Sequence, residues 1–201
     1  EKLRSYTVYR IGKNAFSYND VQKEIIIPDT VTEIGDYAFT KATKLTTVAI
    51  PKNVQILGAQ AFSSCTALES VIFNTTSLSL IPRSAFYGCT SLHSVTLLEG
   101  ITSIGYSAFY GCTSLTSVRL PEGMTTLEDS VFQKCTSLFS IVLSSSITSI
   151  GCRAFSGCAQ LAEVTCYATV PPVLELFDGD HAKCKALDQK IAEKMGYKSC
   201  F

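Results

Sequence analysis

The chain is a tandem repeat with a period of 23 residues. Its clearest marker is a phenylalanine whose consecutive occurrences are 23, 23, 24, 23, 23 and 23 residues apart. These residues are Phe16, Phe39, Phe62, Phe86, Phe109, Phe132 and Phe155. A fixed period of this length indicates a solenoid, in which each coil buries its apolar face against its neighbours. Because no boundary separates the coils, the sequence predicts one domain.

Other positions keep the same spacing. In the fifth copy they include Ile104, Ala108, Leu115 and Val118. In five copies a glycine stands four residues before the phenylalanine, where it predicts a turn that favours a residue without Cβ. Those glycines are Gly12, Gly35, Gly58, Gly105 and Gly151, and Pro82 and Glu128 break the column. The extra residue of the 24-residue gap falls at 74–77, where we expect a bulged loop.

Each copy has two halves. The alternation Leu115-x-x-Val118-x-Leu120 predicts one short strand per coil with one buried face, and successive strands must pair in parallel. The seven predicted strands end at Ile27, Ile50, Phe73, Leu97, Leu120, Leu143 and Cys166. The spacing of Ala108, Phe109, Cys112 and Leu115 predicts a short helical or 3-10 segment that packs on the back of the sheet. The predicted class is therefore an α/β repeat.

Composition excludes some functions. The 17 basic and 17 acidic residues give a formal net charge of zero, and the scattered basic residues lack the footprint of a nucleic-acid binder. No apolar run approaches the roughly 18 residues of a membrane span, so we expect no membrane insertion. Residues 1–10 lack the apolar core of a secretory signal. A start at Glu1 indicates a processed or trimmed chain, so this lack says nothing about export.

The string Ile-Gly-x-x-Ala-Phe-x-x-Cys-x-x-Leu-x-x-Val-x-Leu-Pro, as in residues 104–121, resembles the BspA-like leucine-rich repeat, also called the Treponema pallidum type. The resemblance extends from Val8 to about Phe177. It implies a leucine-rich-repeat solenoid with a parallel sheet on one side. It also implies a secreted or surface-attached protein of host-associated bacteria or protists that binds matrix proteins, host cells or other microbes.

Nine cysteines fall into two groups. Five occupy one column, three residues after the phenylalanine, and we expect a ladder of small buried thiols rather than disulfides or metal ligands. They are Cys65, Cys89, Cys112, Cys135 and Cys158. The others, Cys152, Cys166, Cys184 and Cys200, lie near the C-terminal end, where a Cys184–Cys200 disulfide is the simplest hypothesis. Such a bridge would favour an oxidising compartment.

The sequence predicts no catalysis and no cofactor. Neither His93 nor His181 has an evident Ser or Cys partner. Asp178, Asp180, His181 and Cys184 could hold a metal in principle, but Asp180 as a helix cap is the favoured interpretation. An enzyme that uses a thiol or metal in this segment is the remote alternative.

The outward strand positions are the predicted binding surface, on the concave side of the solenoid. One column holds Thr47, Ser70, Ser94, Ser117, Ser140 and Glu163, and the next holds Ala49, Ile72, Thr96, Arg119, Val142 and Thr165. Ser and Thr also suit any exposed sheet. It is therefore an equal interpretation that these columns bind no ligand. Ile72, Phe139 and Val142 are apolar where solvent would be expected, and Arg119 lies between them in coil order. Arg and aromatic residues are common interface anchors.

The ends complete the prediction. Residues 1–180 form about seven coils, with an atypical first coil in which Asn19 and Gln22 replace the column Cys and Leu. Leu187, Ile191 and Met195 predict an amphipathic helix, so residues 181–201 form a C-terminal cap of the same domain. We expect a monomeric, non-catalytic cell-surface or secreted adhesion module. Its expected partner is a protein, such as a matrix or host or microbial surface protein, or a glycan. An intracellular leucine-rich-repeat scaffold is the alternative.

Overall fold

The computed structural model describes residues 7–169 and 172–174, which form short strands joined by turns. The strands are β1 (Arg10–Ile11), β2 (Glu24–Ile25), β3 (Glu33–Ile34), β4 (Thr47–Ile50), β5 (Ile56–Leu57), β6 (Ser70–Phe73), β7 (Leu80–Ile81), β8 (Ser94–Val95), β9 (Ser103–Ile104), β10 (Ser117–Arg119), β11 (Thr126–Leu127), β12 (Ser140–Leu143), β13 (Ser149–Ile150), β14 (Glu163–Cys166) and β15 (Val173–Leu174). The even-numbered strands form one seven-stranded parallel sheet, here called the main sheet.

The main sheet confirms the predicted parallel solenoid. Its strands follow chain order, and Ser117 of β10 pairs with Ser94 of β8 and Ser140 of β12. Each partner is thus one repeat away, which places equal positions of successive copies side by side. Four strands end where the sequence predicts, and β2, β8 and β10 end earlier.

Each coil also contains a second strand, so the prediction of one strand per coil is wrong. The odd-numbered strands, here called the short ladder, are only two residues long and pair in parallel with the coils before and after. In the fifth coil this strand is Ser103–Ile104, with Ile104 fully buried. The sequence predicted no strand at this isoleucine column, because two residues are too few for a visible alternation.

The short ladder is interrupted at the irregular coil. It divides into β1-β3-β5 and β7-β9-β11-β13-β15, so β5 and β7 do not pair. Gly58 and Gly105 each donate their N–H to an isoleucine carbonyl of the preceding coil, but Pro82 has no N–H at the equivalent position. The extra residue just before β7 also shifts the chain. There the buried Thr75 donates its hydroxyl to the carbonyl of Val54 at 2.7 Å.

The predicted helical or 3-10 segments are absent from the described residues. Around Phe109, alternate N–H groups reach the next coil, and the others turn back within their own coil. Ser107, Phe109 and Gly111 donate to the carbonyls of Asp129, Val131 and Gln133, whereas Ala108, Tyr110 and Cys112 donate to those of Gly105, Ser107 and Phe109. An α-helix keeps these bonds within one segment. Because half of the donors serve the neighbouring coil, the segment is a stack of turns, here called the turn stack.

The turn stack depends on a left-handed residue on each side of the phenylalanine. The residues two before and two after Phe109 are Ser107, with φ of 55°, and Gly111, with φ of 69°. All seven copies repeat this pattern. Left-handed residues interrupt a right-handed helix every few positions, which explains why helical spacing was misleading here.

The phenylalanines form a continuous stack inside the coils. From Phe16 to Phe155, neighbouring rings are 5.0 to 5.8 Å apart between centroids and lie within 11° of parallel. Phe39 to Phe155 are almost completely buried, whereas Phe16 in the first coil is half-buried. The prediction that the phenylalanine column forms the core is confirmed.

The column glycines allow adjacent coils to approach each other. A Cβ on Gly105 would lie 2.8 Å from the backbone nitrogen of Arg83 in the preceding coil, and a Cβ on Gly58 would meet the backbone of Gly35 and Asp36. None of the column glycines has positive φ. Coil contact, rather than a positive φ, therefore explains the column glycines except Gly12, where a Cβ would meet nothing within 4 Å.

The C-terminal end is described only in part. β15, at Val173–Leu174, pairs in parallel with β13, so the short ladder continues past Pro172. The predicted cap at 181–201 lies outside the described residues.

Candidate functional site

The main sheet presents the residues predicted to bind a partner. Alternation turns one side of each strand into the core and the other side outward. In register across the sheet, the first outward column runs through Thr47, Ser70, Ser94, Ser117 and Ser140. Each is exposed or half-buried. We call the outward side of the even-numbered strands the strand face.

Apolar and cationic side chains lie among the hydroxyl groups of the strand face. Ile72 is 54% exposed and Phe139, which precedes β12, is 47% exposed. Arg119 is exposed and lies opposite the half-buried Val142 in the register of β10 with β12. Arg119 makes no ion pair with any described residue, so its guanidinium is available to a partner. Thr96, exposed just beyond β8, lies in the coil between Ile72 and Arg119.

The second outward column has one more member than the sequence predicted. Ile26 follows β2 and is 92% exposed, the largest exposure of any bulky apolar residue described. It occupies the first-copy position equivalent to Ala49 and Ile72. Extending the column to the first copy would have found it, because the 23-residue spacing also holds there.

Tyrosines and lysines of the turn stack form a second group of side chains, for which the sequence predicted no role. Tyr87 and Tyr110 stack with centroids 4.7 Å apart. Lys134 lies 5.3 Å from the centroid of Tyr110, and Lys41 lies 4.8 Å from that of Tyr18. Tyr87 and Tyr110 each follow the column phenylalanine by one residue, and Tyr18, Lys41 and Lys134 each follow it by two. The repeat spacing could therefore have indicated these contacts, but the prediction considered only the inward columns and the strand columns. The fold brings them together on a second surface, distinct from the strand face.

The column cysteines form a ladder of free thiols, as predicted, with Cys158 half-buried and the other four buried. Each donates its S–H to the carbonyl of the phenylalanine in the preceding coil, with Sγ···O distances of 3.0 to 3.2 Å. Burial raises the pKa of Cys65 and of Cys158 to about 12, and raises the pKa of Cys89, Cys112 and Cys135 as well. Because a thiolate is the reactive form, these cysteines are poor nucleophiles at neutral pH.

Two of the C-terminal cysteines lie in the described part of the chain. Cys166 is free and half-buried. Cys152 is disulfide-bonded, and its partner is not among the described residues. The proposed Cys184–Cys200 pair lies outside the described residues. At least one cysteine near this end of the chain therefore forms a covalent cross-link.

Other chemistry predicted from the sequence cannot be placed. The cluster of Asp178, Asp180, His181 and Cys184 lies outside the described residues. Within residues 7–169 and 172–174, no three His, Cys, Asp or Glu side chains meet as a metal site would require. The same part of the chain contains no helix that is long and apolar enough to cross a membrane.

Comparison with known families identifies the repeat. The family model described as the BspA type leucine rich repeat region matches residues 4–80 and 75–175, with six copies. The chain belongs to this family. The resemblance seen in residues 104–121 is therefore confirmed across most of the sequence. No curated protein matches the chain in sequence.

Solved structures show the same fold. A leucine-rich repeat protein from Bacteroides ovatus is 34% identical, with a TM-score of 0.71 over 85% of this chain and 46% of its own. One from Eubacterium ventriosum is 30% identical, with a TM-score of 0.69 over 87% of this chain and 47% of its own. The leucine-rich repeat protein of T. pallidum is 25% identical, with a TM-score of 0.70 over 90% and 87%.

The chain spans less than half the length of the first two of these proteins. All three are leucine-rich-repeat proteins, and the matching family is defined by the repeat rather than by a reaction. Repeats of this kind are generally non-enzymatic and support many different binding functions. Function must therefore be argued from the exposed surfaces of this chain.

Proposed function

We propose that the chain is a non-catalytic binding module of an exported, cell-surface protein, and that the strand face binds a protein partner. The observation that carries the proposal is the outward column of the main sheet, where Ile26, Ile72 and Arg119 are exposed above a fully packed core. Single exposed apolar residues are common, but apolar side chains grouped on one face and rimmed by polar residues mark interaction sites.

The composition of the strand face suits a protein. Apolar side chains lie toward one end, at Ile26 and Ile72, and the pair of Arg119 and Val142 lies toward the other, with hydroxyl groups between them. Protein interfaces combine apolar centres, Arg or aromatic anchors and a polar rim. The short, regular strands hold these side chains in fixed register, which reduces the entropy lost on binding.

The cell-surface location is part of the same proposal and rests on family membership. Antibodies against the chain should label intact cells of the source organism without permeabilisation. Labelling only after permeabilisation would favour the intracellular scaffold instead.

The binding test uses two charge reversals. Purified extracellular-matrix and host-surface proteins are immobilised as a panel, and the affinity of the chain is measured by biolayer interferometry. Arg119→Glu should weaken binding by about tenfold or more, because it reverses the charge of the proposed anchor. The matched control is Arg83→Glu, the same change at an exposed residue of the turn stack.

The control should bind as the unchanged chain does. If no protein on the panel binds, or if both variants bind equally well, the strand face is not the binding surface for these proteins.

A further inference from the structure

The turn stack carries a cleft of about 470 Å³ over the first four copies. Three tyrosines line it, Tyr18, Tyr37 and Tyr87, together with the amides of Asn14 and Gln60, the ammonium group of Lys41 and five Ser or Thr hydroxyls. Its volume lies in the range of roughly 300 to 1,000 Å³ that is typical of small-molecule sites. The cleft is separate from the strand face.

We propose that this cleft is a carbohydrate-binding site. No aliphatic side chain and no carboxylate lines it, whereas sites for apolar ligands are lined mainly by hydrophobic groups. A sugar ring offers the complementary chemistry. Its C–H face packs on an aromatic ring, and its hydroxyl groups bond to amides and hydroxyls, which both donate and accept. The single ammonium group also allows a sugar that carries a carboxylate.

The side chains of the cleft hold one another in place. Lys41 lies 4.8 Å from the centroid of the Tyr18 ring, and its Nζ is 3.4 Å from the Tyr18 hydroxyl. The Nε2 of Gln60 donates to the hydroxyl of Tyr37 at 3.3 Å. These contacts link neighbouring coils and fix the rings before any ligand arrives. A preorganised site loses less entropy on binding.

One backbone position of the cleft favours glycine, and three of the side chains that line the cleft stand there. Two residues after each phenylalanine, φ is positive in every copy. The fourth, fifth and seventh copies place Gly88, Gly111 and Gly157 there, which adopt this conformation without strain. The first three place Tyr18, Lys41 and Ser64 there instead, with φ of 57° to 60°. All three line the cleft.

Glycine would therefore be the easier residue at these positions, and none of the three glycines that stand there lines the cleft. Strained side chains are often found at functional sites. Lys134 of the sixth copy has the same conformation, with φ of 62°, and contacts Tyr110 outside the lining of the cleft. It provides a matched control.

The test compares two variants on an array of defined neutral and sialylated oligosaccharides, followed by titration of each bound oligosaccharide in solution. The double variant Tyr18→Gly/Lys41→Gly introduces the residue that later copies use, so its melting temperature should not fall. Its affinity should fall by about tenfold or more, because a ring and its cation are lost. The control Lys134→Gly should bind like the unchanged chain.

Three outcomes would overturn the proposal. They are the absence of binding to every oligosaccharide, unchanged affinity of the double variant, and an equal loss in the Lys134→Gly control. If the chain binds no oligosaccharide but the double variant loses binding to a protein on the panel, the carbohydrate proposal is also overturned. The cleft would then be assigned to protein recognition. Arg119→Glu should leave oligosaccharide binding unchanged, so the two surfaces are tested independently.

Discussion

Replacing Phe109 by alanine tests whether the phenylalanine stack is the main source of stability in the coil. Phe109 is fully buried, and its ring lies between those of Phe86 and Phe132, at 5.3 and 5.5 Å. Removal of a buried phenylalanine ring costs about 3 to 5 kcal/mol through lost burial and the cavity that remains. Within that total, each stacked neighbour accounts for about 0.5 to 1.5 kcal/mol beyond the area term.

The free energy of unfolding is measured by urea titration, followed by far-UV circular dichroism. Phe139→Ala is the control, because Phe139 is half exposed and its loss should change the free energy by no more than about 0.5 kcal/mol. Phe109→Leu keeps most of the side-chain volume and should lower the free energy of unfolding by about 1 kcal/mol. This variant still allows a comparison with Phe139→Ala if the alanine variant at Phe109 does not fold.

The order of these three values is the decisive result. A loss below about 1 kcal/mol for Phe109→Ala would show that the ring is not packed between its neighbours. A loss at Phe139 as large as at Phe109 would refute the assignment of inward and outward positions.

Two further predictions concern coil contact and the thiol ladder. Gly58→Ala should destabilise the chain by about 1 to 3 kcal/mol, because its Cβ would meet the backbone of Asp36. Gly12→Ala, where nothing lies within 4 Å, should have little effect in the same titration, and equal effects would refute the explanation by close approach. The second prediction follows from the pKa of Cys65, which burial raises from 9.0 to about 12. Below pH 9 both states keep this proton, but above it the unfolded chain binds fewer protons than the folded one, so stability falls by up to about 1.4 kcal/mol per pH unit. Between pH 8 and 10, Cys65→Ala should therefore lose less stability than the unchanged chain, and identical pH slopes would contradict the buried thiol.

The sequence predicted the parts of the fold that depend on burial. The repeat period, the seven parallel strands and the inward columns all follow from apolar residues in phase, and a buried side chain leaves such a signal in every copy. Phe109 and Cys112 are examples, because both lie in the core and their columns hold the same residue type in every central copy.

What the sequence did not reveal depends on the backbone. The turn stack was predicted as helix because Ala108, Phe109 and Cys112 have helical spacing, but alternate N–H groups bond to the next coil. The pattern of side chains does not indicate which carbonyl accepts the hydrogen bond of a backbone N–H group. The carbohydrate cleft was missed for a related reason, since Tyr18, Tyr37 and Tyr87 occupy three different columns and meet only when the coils are stacked.

The interruption of the short ladder does not divide the solenoid. At the irregular coil, the main sheet and the phenylalanine stack both continue, whereas β5 and β7 are not joined by hydrogen bonds. The turn stack also continues across this step, because the N–H groups of Gln60, Phe62 and Ser64 donate to the carbonyls of Arg83, Ala85 and Tyr87. Three of the four lines of contact between these coils are therefore kept, so the array accommodates a copy of irregular length at a loop without ending.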